Sequence, residues 1–163
     1  STLKEDIDFF IVDTAAGISD MVLSFCRAAQ DVLMVVCNEP TSVADAYAQM
    51  KVLSRDYGVN KFKIIGNQLH SLDEGKLMYQ KLVTVTERFI DATLELVACI
   101  PVDMNMRKAI RQRSCVVDVI PTSPAARAFK TLANRITTWP IPQVAGGHLE
   151  FFVENLISNN KKE

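Results

Sequence analysis

The chain has 163 residues, 48% of them apolar and 23% charged, enough for one domain with a core of its own. The formal net charge is −1, with basic and acidic residues mixed along the chain, so composition does not point to a nucleic-acid binder built on clustered Lys and Arg. No apolar run approaches the roughly 20 residues of a membrane span.

In chain order, apolar runs of strand length fall at Phe9–Val12, Val32–Val36, Phe62–Ile65, Leu94–Ile100 and Val116–Ile120. Helical spacing occupies the segments between them. Asp20–Gln30 places Met21, Val22, Phe25, Ala28 and Ala29 on one side, and Ser42–Tyr57 does the same with Val43, Tyr47, Met50, Leu53 and Tyr57. In the second of these, Ser42 and Asp45 are spaced as an N-cap and its partner three residues on, and Gly58 stands where a C-terminal glycine closes a helix. Leu72–Ile90 and Met104–Arg113 read as two further helices, and Pro124–Thr138 as another, with Ser123 as cap and Pro124 at its first position. Pro140, Pro142 and the Gly146-Gly147 pair then form a linker.

Strands alternating with helices predict an α/β fold: a mainly parallel sheet flanked by helices on both faces, with right-handed crossovers. The strands are apolar throughout, as expected when both faces are covered. In such sheets ligands bind beyond the carboxyl ends of the strands. Those ends carry Asp13 and Thr14, Asn38 to Thr41, Asn67, and Pro101 to Asp103. The organisation expected is residues 1–142 as the sheet domain and 143–163 as a linker and final amphipathic helix.

Residues 7–17 read IDFFIVDTAAG, an apolar run delivering Asp13 and Thr14 to a small flexible turn that ends at Gly17. A carboxylate at the end of a buried strand needs a hydrogen bond or a cation, and magnesium-bound water satisfies it. The alternative is an Asp that caps the following loop; the DTAAG context favours the nucleotide reading. The partner of such a strand is a glycine-rich loop ending in Lys and Ser or Thr, and the twelve residues before Asp13 hold no glycine.

Asn67 closes the run KFKIIGN, and its amide offers a donor and an acceptor that suit an adenine edge; it equally suits a turn residue bonded to its own backbone. Pro101, Val102 and Asp103 leave the next strand in a defined loop, either a wall for a planar base or a simple strand exit. Four cysteines, Cys26, Cys37, Cys99 and Cys115, are far apart in sequence and form no C-x-x-C pair, so buried reduced thiols are expected. His70 and His148 lack metal-ligand companions, and Ser19 and Ser114 lack a nucleophile-elbow context. Arg107, Lys108, Arg111 and Arg113 form the one local basic cluster and read as a solvated helix face. Near the C-terminus, Leu149, Phe152, Val153, Leu156 and Ile157 form an apolar stripe at helical spacing. It can pack on the core, dock a partner or lie in a membrane interface.

Taken together, FFIVDTAAGIS, VVCNEPTSVADAYAQMKVL, IIGNQ, IPVD and PTSPAARAFKTLA resemble the MinD/ParA group of deviant phosphate-loop ATPases. Within it, EPTS-x-x-DAY at Glu39–Tyr47 resembles the branch that sets flagellar number, called FlhG or FleN. The resemblance implies an ATP and Mg2+ cofactor set for the full-length protein. Asp13, with Thr14 and Gly17, corresponds to the magnesium-linked second switch; Asn67 reads adenine; Pro101, Val102 and Asp103 back the base. The stripe from Leu149 to Ile157 corresponds to a membrane-targeting helix. The family dimerises on ATP, and this branch engages a flagellar transcriptional activator and a flagellar GTPase at the inner membrane or cell pole; no nucleic acid is expected. The phosphate loop with its two lysines and the first switch are absent from the sequence, so no ATP turnover is expected of the 163 residues alone. Phe9–Val12, lacking the strand that the family pairs beside it, is expected to be an apolar edge: part of a longer chain, capped by another copy, or poorly soluble. The alternatives are a non-catalytic interaction module and a partitioning ATPase of the same group.

Overall fold

The computed structural model describes residues 8–140. Within them α1 (Asp20–Ala28), β1 (Leu33–Cys37), α2 (Pro40–Tyr57), β2 (Lys61–Leu69), α3 (Leu72–Phe89), β3 (Thr93–Pro101), α4 (Met104–Arg111), α5 (Val116–Val119) and α6 (Pro124–Ile136) follow in order. The three strands form one parallel sheet in the order β1-β2-β3, with Val35 opposite Ile65 and Ile64 opposite Leu96.

Alternation along the strands sorts the core into two layers. On one face, Met34, Val36, Phe62 and Ile64 meet Met50 and Leu53 of α2 and Met78 and Leu82 of α3. On the other, Ile65, Val97 and Ile100 meet Ala125 and Leu132 of α6. Helices thus lie on both faces, as predicted. Gly75 lets α3 approach closely: a Cβ there would stand 2.8 Å from both Cys99 Sγ and Leu69 Cδ1. The second face also carries a charged strip. Lys63 reaches Asp31 at 3.4 Å and Glu95 at 3.5 Å and lies over the Trp139 ring, while Arg135 meets Glu95 at 2.6 Å.

Several expectations change. First, Phe9–Val12 lies in neither strand nor helix and is exposed, with Ile11 84% accessible. A strand exists only through its ladder, and none of the described strands pairs with this run. The edges of the described sheet are instead β1 and β3, and Val35 of β1 is 60% accessible, so the second face of that strand is not covered by the described residues. Second, Val116–Ile120 is the helical turn α5, not a strand. The N–H groups of Asp118 and Val119 return to Cys115 O, and Val116 packs against Ala109 and Ala126. Third, α2 begins at Pro40 with Glu39 as cap, because proline at the first turn is already set for a helix. Ser42 instead accepts a hydrogen bond from the Cys37 N–H at 3.0 Å. Fourth, Cys115 is exposed, while Cys26, Cys37 and Cys99 are half-buried free thiols whose pKa values rise chiefly through burial. Met21, assigned to the inner stripe of α1, is exposed, and Val22 and Leu23 fill the core side.

The helix ends follow their local chemistry. Gly58 closes α2 at φ 70°, a left-handed cap that glycine adopts without strain. Ser19, Ser71 and Ser123 each cap a helix by accepting a backbone N–H. The stripe Leu149, Phe152, Val153, Leu156 and Ile157 lies outside the described residues, as does His148.

Candidate functional site

The carboxyl ends of the three strands are bound into one edge by side chains and loops. At β1, Cys37 pairs in register with Asn67 of β2. At β2, the ladder with β3 is irregular between Gly66 and Leu69, and Gln68 takes φ 54°, a left-handed conformation rarely adopted by a residue with a Cβ. Beyond that turn, the Leu69 carbonyl accepts the Val102 N–H at 2.9 Å, joining the exits of β2 and β3. Asn67 and Pro101–Asp103 therefore belong to one continuous edge. The Asn67 side chain is half-buried and makes no hydrogen bond among the described residues, while Val102 is 46% accessible.

Asp103 has a different bonding state. Its Oδ1 accepts the Asn105 N–H at 2.8 Å, capping α4, and its Oδ2 accepts the Ala125 N–H at 3.0 Å in the first turn of α6. Both oxygens are committed to the protein. The Ala125 N–H is the main cause of a carboxyl pKa below the usual range, with the Asn105 N–H and Ser123 adding to it against a raising effect of burial. Asp103 thus shapes the loop that Pro101 and Val102 expose.

Asp13 is exposed and its carboxylate has no hydrogen bond or ion pair among the described residues; Thr14 is half-buried. Gly17 takes φ 118°, a conformation rarely open to other residues, so the turn that leads into α1 depends on glycine. Ser19 caps α1 immediately after it.

Two residues at this edge escaped the sequence reading. Glu74 accepts the Asn38 Nδ2 at 2.9 Å and the His70 N–H at 2.6 Å, and these partners hold its carboxyl pKa below the usual value, Asn38 foremost. The spacing Ser71-x-x-Glu74 is a capping-box signal, but the contact to Asn38 spans 36 positions and has no local signature. Gln68 was visible only as the residue after Asn67. Arg107, Lys108, Arg111 and Arg113 are exposed, as read from the sequence. No group of three or more His, Cys, Asp or Glu among the described residues is placed to hold a metal ion, and no described helix is long and apolar enough to cross a membrane.

Comparison with known proteins agrees with this architecture. A family model described as ParA, NUBPL iron-transfer P-loop NTPase, matches residues 1–137. Antiactivator FleN of Pseudomonas aeruginosa is 48% identical over 159 residues, which is 98% of this chain and 57% of FleN. Flagellum site-determining protein YlxH of Helicobacter pylori is 27% identical over 96% of this chain and 51% of YlxH. The chain therefore spans little more than half the length of these relatives. Among solved structures, the MinD cell division protein of Aquifex aeolicus shares the fold with a TM-score of 0.53 at 22% identity, over 72% of this chain and 48% of MinD. An α/β sheet of this topology, matched along residues 1–137 by one family, places the chain in the ParA family of P-loop NTPases.

Proposed function

We propose that this chain supplies the second switch and the base-binding edge of an ATP-switched regulator of flagellar number, active as the full-length protein. The observation that carries this is the 48% identity to an antiactivator named FleN across 98% of the chain; YlxH, a flagellum site-determining protein, supports it independently. ATP with Mg2+ is the group that the family implies, and in part the residues present fit it. The Asn67 amide, without a partner among the described residues, is available to an adenine edge, and the exposed Val102 flanks the same strand exit. The Asp13 carboxylate, without a hydrogen bond or ion pair among the described residues, is available to magnesium-bound water. The phosphates have no cradle in these 163 residues, because no glycine-rich loop ending in Lys and Ser or Thr occurs in them.

In the same proposal, ATP drives dimerisation, and the dimer engages a flagellar transcriptional activator, a flagellar GTPase and the membrane surface. For the membrane, the support is the apolar stripe of the sequence at Leu149, Phe152, Val153, Leu156 and Ile157. One such helix binds marginally, and two in a dimer bind far better through effective concentration. Phe152→Glu in the full-length protein is expected to abolish ATP-dependent pelleting with anionic liposomes. Pelleting equal to wild type would assign the stripe to packing or to a protein partner. The flagellar role is tested by replacing the gene with an Asp13→Asn allele and counting flagella per cell. A changed count supports the proposal, and a wild-type count contradicts it.

A further inference from the structure

We propose that Glu74 is a positioning residue for base recognition: its single carboxylate ties the loop leaving β1 to the loop leaving β2 and thereby fixes Asn67. This rests on the adenine-binding role proposed for Asn67.

Glu74 stands at the third position after the cap Ser71, whose Oγ accepts the Glu74 N–H at 3.1 Å. From that position a glutamate ordinarily returns to the N–H of the cap residue itself. Here it does not. Oε2 accepts from the His70 N–H, one residue earlier, and Oε1 accepts from Asn38 Nδ2, just beyond the end of β1. An ionised carboxylate only accepts, so the amide of Asn38 must present its NH2 to it.

The tie closes a ring. Cys37 faces Asn67 across the ladder, Asn38 follows Cys37, Glu74 joins Asn38 to His70, and the chain from His70 returns through Leu69 and Gln68 to Asn67. Within this ring the backbone at Gln68 is held at φ 54°. Such a conformation persists where its surroundings over-determine it. They do so here at two successive residues: the Leu69 carbonyl is taken by Val102 and the Leu69 side chain is 2% accessible, while the His70 N–H is taken by Glu74. Releasing Glu74 frees His70 and Asn38 together and lets the turn at Gln68 relax, which moves the amide of Asn67. In the proposed role the consequence falls on the base, since an Asn67 amide held in one orientation accepts from the amino edge of adenine, whereas a released amide can turn to serve the keto edge of guanine as well.

The experiment measures Kd for fluorescent ADP and GDP analogues with Mg2+ on the full-length protein, for wild type, Glu74→Ala, Asn38→Ala, the double variant, Glu74→Gln and Asn67→Ala. The expected result is that Glu74→Ala loses about tenfold in preference for adenine over guanine, a change readable in Kd alone. Asn38→Ala loses less, Glu74→Gln is intermediate because an amide serves only one of the two donors as acceptor, and the double variant matches Glu74→Ala. A purely structural role would weaken both nucleotides equally and leave the ratio unmoved, which overturns the proposal, as does full additivity of Asn38→Ala and Glu74→Ala. If Asn67→Ala keeps the wild-type preference, or the wild type binds neither analogue, the adenine-binding role itself fails. If Asn67→Ala loses the preference while Glu74→Ala retains it, only the tie fails.

Discussion

Asp13→Asn in the full-length protein is expected to lower ATP turnover by about 100-fold or more, equivalent to about 2.7 kcal/mol of transition-state stabilisation. The expectation rests on the magnesium-linked role proposed for this residue. Asp13 sits two residues ahead of a small Ala-Gly turn whose Gly17 holds φ 118°, and its carboxylate is bonded to no described residue. A carboxylate accepts from metal-bound water at both oxygens, whereas the amide that replaces it keeps the shape, loses the charge and turns one acceptor into a donor. The loss therefore falls on magnesium-dependent steps. Phosphate release at saturating Mg2+ and ATP measures it, and Kd for ATP without Mg2+ is expected to change little. Turnover equal to wild type would remove Asp13 from the site.

Asp103→Ala is expected to destabilise the fold by about 2–3 kcal/mol, because one carboxylate satisfies helix N-terminal N–H groups on two elements at once. For a domain of this size that corresponds to a fall in Tm of roughly 5–10 °C. Asp103 caps Asn105 at the start of α4 and, 22 positions further on, Ala125 at the start of α6, so the substitution loosens the packing of α6 on β3 as well as the Val102 loop. Acid reveals the same linkage. The folded carboxyl has a pKa below its ordinary 3.8, so its contribution is complete above that value and is lost as pH falls through the lower folded one. The Tm gap between wild type and Asp103→Ala should therefore narrow below about pH 3.8 and stay constant above it. A gap that widens in acid, or no gap at neutral pH, would show that Asp103 is not the shared cap.

Much of this architecture is legible in the chain because local chemistry and global packing agree. The runs around Met34, Ile64 and Leu96 are apolar enough to be buried strands, and Gly58, Ser123 and Pro124 mark helix ends by their own conformational limits. The same logic misreads Val116–Ile120, since a five-residue apolar run serves a helical turn as well as a strand. It also misreads Phe9–Val12, because strand formation belongs to a pair of segments and not to one. At the site, Pro101 ends β3 where the apolar run stops, whereas β2 continues two residues past Asn67 to Leu69 because Leu69 is itself buried. The double capping by Asp103 and the reach of Glu74 to Asn38 were not legible, as both join residues more than 20 positions apart through single carboxylates. Gln68 at φ 54° has no sequence mark at all, because nothing in its side chain calls for that backbone.

The central claim is that this chain forms part of an ATP-dependent switch. Sedimentation velocity of the full-length protein with Mg2+ and a non-hydrolysable ATP analogue, with ADP, and without nucleotide tests it most directly. A monomer without nucleotide and with ADP that becomes a dimer with the ATP analogue is the predicted result. An unchanged sedimentation coefficient across all three conditions would contradict it and favour a non-catalytic interaction module on the same fold.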